Sequence, residues 1–423
     1  MWQKMRDIFP IYRSLLGPGY TESLEKLCSN TPMKTLQYPS GMQCFDWTIP
    51  KEFKVNQSFV IDPYGNKILD FEESNHHVWI YSQPFHGEVT KKELLDHIAV
   101  SEEMEDAIPL KPTYYRKKWG LSASKKEIEH LPNGNYKVHI NTEHYNGFLR
   151  MGEWFLPGDT DEEVMITGYL CHPGGANDNL SGCILAVELF KLLNHMPRRR
   201  YSYRLVIFPE TIGSITYIYH HQKELKRVIG GLVATCVGDP GCFHYKKTFH
   251  GDALIDRAVL HVLSHNVKTF NTIEYSHSSG SDEVQFNSIG LRIPFGSIMK
   301  TPYGQFPQYH TNLDNLSFVT KEALFETLNI YWLTIQALER NKKYKGHYTV
   351  DPFMTKYGIY PFEHGAGEGS LGNEIARAYY ELMGYADGKH DMISIANKSN
   401  LSIFNFDNAV TDFKKAGLIK EVK

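Results

Sequence analysis

The segment Val164-Met165-Ile166-Thr167-Gly168-Tyr169-Leu170 is an apolar run with no polar alternation. Shortly after it, Ile184-Leu185-Ala186-Val187-Glu188-Leu189-Phe190-Lys191-Leu192-Leu193 repeats apolar residues at helical spacing. A strand without alternation is one covered on both faces, so the pair reads as a strand and its following helix in a largely parallel α/β sheet. Between them lies Cys171-His172-Pro173-Gly174-Gly175-Ala176-Asn177-Asp178-Asn179-Leu180-Ser181-Gly182. This loop falls at the carboxyl end of the strand, where open α/β sheets hold their ligands. His172 and Asp178 bring an imidazole and a carboxylate into it, a natural donor pair for a catalytic Zn²⁺.

The same alternation continues with strands at 203–208 and 231–237, helices at 181–194, 213–226, 253–264 and 320–339, and a short strand at 273–275. Two long strands, 136–142 and 147–156, precede it, and residues 3–28 read as helical with a break at Gly17-Pro18-Gly19. From about 45 to 112 the texture differs: short strand candidates alternate with turns such as Pro63-Tyr64-Gly65-Asn66. Beyond the polar stretch 341–346 come a helix at 370–383, two short helical runs at 393–396 and 403–410, and a terminal strand at 418–422. That order is winged-helix-like. A chain of 423 residues exceeds one ordinary core. The expected division is a discontinuous α/β domain (1–45 and 113–345), an inserted small β-rich domain (46–112) and a winged-helix-like domain (346–423).

A net charge of −3 gives no reason to expect nucleic acid or an anionic membrane as the main partner. No apolar run approaches the roughly 18 residues that span a bilayer. The opening Met1-Trp2-Gln3-Lys4-Met5-Arg6-Asp7 lacks the apolar stretch of a signal peptide, so a cytoplasmic protein is expected. The six cysteines are scattered without CxxC pairs and read as reduced thiols.

Four further segments follow or flank core strands: Pro209-Glu210-Thr211, Gly238-Asp239-Pro240, Ser281-Asp282-Glu283 and Tyr309-His310-Thr311 with Asp314. Each has a plainer reading alone. Asp178 or Asp282 would cap a helix, Glu210 and Asp239 would be polar strand ends, and His310 is one of 20 histidines. Together, His172, Asp178, Asp239, His310 and Glu210 have the stoichiometry of a one- or two-metal site.

At these residues the chain resembles the zinc-dependent aminopeptidases that also include glutaminyl cyclases. It resembles more closely an uncharacterised bacterial branch with an aminopeptidase-like domain, an inserted small domain and a C-terminal winged helix, often linked with surface-polysaccharide biosynthesis. Matching stretches include Pro39-Ser40-Gly41, Asp46-Trp47-Thr48-Ile49-Pro50, Pro209 to Ser214, Gly280 to Glu283 and Tyr309-His310-Thr311. The resemblance implies a three-layer αβα core with a mixed, mostly parallel sheet. It implies one or two Zn²⁺, with Asp178 bridging, His172 and Asp239 on one metal and His310 on the other. Characterised members carry two adjacent glutamates where this chain has Glu210-Thr211. Either Glu210 is the general base, or it is a ligand and another group is the base. Asp282 or Glu283 would capture a substrate amine, and Tyr309 would assist an oxyanion or the substrate.

The activity so implied is hydrolysis of an amide, in a small peptide or an N-acylated sugar. The competing expectation is a degenerate hydrolase that binds ligand or acts as a scaffold. The run 403–410 carries Asp407 and no Lys or Arg, whereas a DNA-reading helix needs cations for phosphates. The C-terminal module is therefore expected to contact protein, a partner or a second copy.

Overall fold

The computed structural model describes residues 1–360 and 374–422. The chain forms two compact units, Met1–Gly251 with Asn271–Leu328, and Asp252–Phe270 with the residues from Asn329 onward.

The first unit is built on an eight-stranded mixed sheet. Its centre holds four parallel strands, Ser202–Phe208, Glu163–Tyr169, Val228–Ala234 and Phe295–Met299, in that spatial order. Phe148–Leu156 joins one side antiparallel, and Phe243–Lys246 the other. Glu163–Tyr169 and Ser202–Phe208 are buried at every position, as their unalternating sequences predict, and so is Phe295–Met299, a strand the sequence pattern did not mark. From Glu163–Tyr169 the chain crosses to the neighbour on one side, then returns to Val228–Ala234 on the other. The direction of the connections thus reverses at Glu163–Tyr169, and such a switch point opens a crevice at the carboxyl ends of the strands. Gly182, the first residue of helix Gly182–Asn194, is required by close approach: a Cβ there would lie 2.0 Å from the Ala234 carbonyl oxygen.

A second, four-stranded sheet in this unit runs in the order Lys67–Ile68, Glu52–Ile61, Asn135–Tyr145, Phe85–Thr90. The sequence reading put residues 136–142 with the larger domain. In the structure Asn135–Tyr145 pairs along its length with Glu52–Ile61 and Phe85–Thr90, and Tyr136, Val138 and Ile140 fill their shared core with Val60 and Leu94. The alternating burial of Tyr136, Val138 and Ile140 marks a sheet covered on one face, unlike the central strands of the larger sheet.

The second unit has a three-stranded sheet with Lys343–Gly346 between Asp387–Asp391 and Ile419–Val422. Its helices are Leu254–Asn266, Glu374–Tyr385, Met392–Ser399 and Asp407–Lys415. The expected helix at 370–383 begins, at 370–373, outside the described residues. Helix Leu254–Asn266 was expected with the larger domain but clusters here. Its buried His261 accepts the Ile403 N–H on Nε2 (2.9 Å), so Nδ1 is the atom that donates to Asn397 Oδ1 (2.6 Å). Burial lowers this imidazole to about 4, which keeps it neutral in that double role. Among the described residues, no helix is long and apolar enough to cross a membrane.

One carboxylate ties much of the second unit together. Asp391 caps helix Met392–Ser399 through the Ser394 N–H and accepts from Arg257 and Asn341. Burial alone would raise it, but these donors overcome that and bring it down to about 2. An unfolded Asp titrates near ~3.9, so this stabilisation is present above about pH 4 and is lost as pH falls through about 2. Asp391→Ala should cost about 1 kcal/mol for the cap alone. Hydrogen exchange should show weakened protection of Met392–Ser399 in that variant at pH 7, and in wild type as pH is lowered from about 4 towards 2. Unchanged protection in both would refute the assignment.

Candidate metal centre

The loop that follows Glu163–Tyr169 enters the protein interior. Ala176 to Ser181 are all buried, Asn177, Asp178, Asn179 and Ser181 among them. Buried polar groups need partners, and each is held by a different part of the chain. Asp314 accepts the backbone N–H groups of Asn177 (2.7 Å) and Asp178 (2.8 Å) on its two oxygens. Asn179 donates to the Ala234 carbonyl (2.7 Å). Arg13, itself buried, donates to the carbonyls of His172 (2.8 Å) and Gly175 (3.3 Å). Gly174, at φ +59°, packs against the His76 ring, where any Cβ would clash.

His172, Asp178 and His310 each offer a donor atom within 4.8 Å of the others. His172 Nδ1, Asp178 Oδ2 and His310 Nε2 are all buried without a hydrogen-bond partner, although the last two lie only 3.1 Å apart. Orphaned buried donors and acceptors are costly, and three in one place fit a bound cation. Their ionisation suits ligation. Burial lowers His172 to about 4, leaving the imidazole neutral. Burial opposes ionisation of Asp178, but His172, His310 and the Tyr169 hydroxyl (2.6 Å) bring it down to about 2. The Tyr169 proton goes to Asp178, so Thr235 Oγ1, 2.6 Å away, must donate to the tyrosine. His310 sits at φ +53°, a conformation a non-glycine residue keeps only when its surroundings impose it. Here its carbonyl accepts from Leu110 N–H (2.7 Å), and its ring stacks on Tyr309 at 3.9 Å.

Glu210 follows Ser202–Phe208 directly. Its Oε1 accepts from Ser281 Oγ (2.6 Å), and its Oε2 lies 3.6 Å from His172 Nε2. Its side chain keeps 26% exposure, so a substrate can reach it. Burial first, and then the charges of Asp282 and Asp178, push this carboxyl well above the usual carboxylate range. Cys171 accepts the Glu210 N–H (3.3 Å), and burial pushes its thiol well up, so it acts as a neutral acceptor beside the site.

The other expected site residues are placed differently. Asp239 lies outside the His172–Asp178–His310 group. Its oxygens are taken by Thr301 Oγ1 (2.6 Å), the Thr301 and Gly241 N–H groups and Asn177 Nδ2 (3.0 Å), which leaves it a support for the loop. Asp282 is fully buried and accepts from Thr211 N–H (2.8 Å) and Ser214 Oγ (2.5 Å). Glu283, also fully buried, pairs with Lys246 (2.7 Å) and accepts from Tyr303 (3.2 Å). Glu283 is committed to Lys246 and Tyr303, whereas Asp282 takes both of its bonds on Oδ1 and keeps Oδ2 buried without a hydrogen-bond partner. Tyr309 packs against the cluster of Cys236, Met299 and Phe306 while it supports His310. Sequence reasoning gave no role to Arg13, Tyr169 or Ser281. Nothing local marks them, since each acts on a residue distant in the chain or through a hydroxyl.

Known proteins match this chain almost end to end. Residues 2–341 match a family described as "Domain of unknown function (DUF4910)", and residues 343–421 one described as winged helix-turn-helix. A Clostridium acetobutylicum protein described as "Putative polysaccharide biosynthesis protein with aminopeptidase-like domain" is 36% identical over 100% of this chain and 96% of its own. The crystal structure of a "putative peptidase" from the same organism superposes with a TM-score of 0.92 at 34% identity, over 100% of this chain and 96% of that one. A zinc aminopeptidase from Bacillus subtilis has a TM-score of 0.57 at 16% identity, covering 78% of this chain and 93% of that one. A peptidase M28 precursor from Shewanella amazonensis has a TM-score of 0.58 at 11% identity, covering 80% and 92%. These last two share the fold. Fold and site thus define an aminopeptidase-like α/β protein with an appended winged helix. The chain belongs to the family described as "Domain of unknown function (DUF4910)".

Asp314 is the positioning group most open to test. Asp314→Ala would strand two buried N–H groups at roughly 1–3 kcal/mol each. The expected result is a lower melting temperature and, in a chelator competition, zinc affinity reduced by about 10–100-fold, as for other groups that orient ligands. Unaltered zinc affinity in a folded variant would remove Asp314 from the site.

Proposed function

We propose that this chain is a metal-dependent hydrolase of amide bonds, with one zinc held by His172, Asp178 and His310. The observation that carries this reading is the group His172, Asp178 and His310, whose donor atoms lie within 4.8 Å of one another beside a carboxylate that a substrate can reach. Three protein donors with room for a further ligand is the pattern of a catalytic rather than a structural zinc. A zinc ion there would supply Lewis-acid polarisation of the amide carbonyl and a lowered water pKa. The chain's own residues supply the rest. Glu210 accepts the water proton and passes it to the departing nitrogen. Ser281 fixes which carboxylate oxygen is free to do so, because the other is bonded to its hydroxyl. The name of the Clostridium acetobutylicum relative supports a place in polysaccharide biosynthesis.

The winged-helix module is assigned to protein contact. Its last helix is Asp407–Lys415 rather than the expected 403–410 and ends on Lys414 and Lys415, but it begins with an acid paired to Arg340, at the end where a recognition helix meets bases.

Elemental analysis of chelator-free protein should give about one zinc per wild-type chain, lost in His172→Ala and His310→Ala. Glu210→Gln should keep the metal and lose about 10²–10⁴ of kcat on a panel of aminoacyl and N-acyl-sugar amides. A folded wild type that takes up no zinc, even when it is added back, would overturn the hydrolase reading and favour a ligand-binding role.

A further inference from the structure

The block Asp46-Trp47-Thr48-Ile49-Pro50 takes no part in holding a metal, yet its tryptophan walls two cavities of the first unit. One, of about 310 Å³, opens on Glu210 and is lined by Trp47, Tyr114 and Tyr115. The other, of about 300 Å³, carries Asp46, Gln222, Gln285 and Ser288. Trp47 and Tyr115 keep 41% and 53% exposure, with ring centroids 6.2 Å apart. The Tyr115 hydroxyl donates to the Thr48 carbonyl (3.1 Å), which fixes its ring from the polar end. Phe45 and Tyr219, edge to face at 5.2 Å, add to the exposed aromatic surface. Rings left in water at a cleft are a binding surface.

Charge narrows the ligand. Neither lining contains Lys or Arg, so nothing there would pair with a phosphate or carboxylate. Removing an N-terminal residue requires its ammonium to be caught within one residue of the scissile carbonyl. In the cavity at Glu210 the one carboxylate is Glu210 itself. Glu283 is paired with Lys246, Asp282 is buried with its Oδ1 bonded to Thr211 and Ser214, and neither lines this cavity. With one carboxylate in each lining, Glu210 and Asp46, the ligand that fits carries no anionic group and has apolar ring faces for Trp47 and Tyr115 and hydroxyls for Gln222, Gln285 and Ser288. Pyranose rings have both: their axial C–H bonds form a face that lies on an indole or phenol, and their hydroxyls bond side-chain amides. Both cavities sit at the small end of the about 300–1,000 Å³ range of small-molecule sites, room for one ring each.

We propose that this cleft takes a neutral chain of N-acylated amino sugars, one ring over Trp47 and Tyr115 beside Glu210 and an adjoining ring in the second cavity. The chemistry rests on the hydrolase reading; the binding does not. In that chemistry the acyl C–N bond breaks, the water oxygen joins the acyl carbon to give a carboxylate, and both water protons end on the sugar amine.

The test is calorimetric titration of Glu210→Gln with neutral N-acetylated oligomers of glucosamine, galactosamine and mannosamine, and with an unblocked tripeptide. At least one oligomer should bind, while the tripeptide should not. Trp47→Ala should weaken oligomer binding by tenfold or more at an unchanged melting temperature, and Trp47→Phe should restore part of it. No binding by any oligomer, binding indifferent to Trp47, or preference for the tripeptide would each overturn the proposal. Binding that passes this test, with no cleavage by zinc-loaded wild type, would sink the hydrolase reading alone. Peptide cleavage without sugar binding would sink this inference alone.

Discussion

From Ala176 to Ser181 the chain runs through the interior with four polar side chains and its own peptide groups cut off from water. Each group left unpaired would cost on the order of 1–3 kcal/mol, so the surroundings must be arranged to meet them. Asp314 comes from the segment after Phe295–Met299, Asp239 from the loop after Val228–Ala234, and Arg13 from the N-terminal region. The Gly238 N–H bonds Asn177 Oδ1 (2.8 Å), and the Gly182 N–H bonds Asn179 Oδ1 (3.2 Å). The carboxyl-end loops are therefore locked onto one another through this segment. That rigidity aims Asp178 and lets His310 meet it from 132 residues further on, the difference of the two numbers.

The second constraint is charge. Asp178 and Asp282 are buried, Glu210 beside them is partly so, and among the described residues none of the three has a lysine or arginine ion-pair partner. Lys246 is spent on Glu283. Burial raises Glu210 and takes Asp282 to about 7, and the neighbouring carboxylate charges add to both. A dication would offset that repulsion, so the same crowding that destabilises the empty arrangement favours a metal. The hydroxyls of Ser281, Ser214 and Tyr169 partly compensate by donating to these carboxylates.

The segment before the small sheet and the loops between its strands serve the site as well as their own core. Ile108 and Leu110 bond Asn312 and His310, which steadies the loop that bears His310. His76 packs on Gly174, and Trp47, Tyr114 and Tyr115 wall the cavity at Glu210.

The sequence by itself determined the elements and the edge on which chemistry would occur. Unbroken apolar runs specify strands covered on both faces, and parallel strands put their following loops, with His172 and Glu210, at one end. It also determined the winged-helix order of the last segment, because helical periodicity and strand runs are local properties. It missed the register that draws Asn135–Tyr145 into the smaller sheet and the clustering of Leu254–Asn266 with the second unit, both set by contacts far along the chain. Only the tertiary structure decided how the acids divide their work. Asp178, Asp239, Asp282 and Asp314 are alike as residues in loops. Asp239 is taken by Thr301, 62 residues away, one oxygen of Asp282 by Ser214 at 68, and Asp314 by the Asp178 N–H at 136. A carboxylate's role follows from whether its lone pairs are already taken. That depends on donors that folding brings together and that no local pattern encodes.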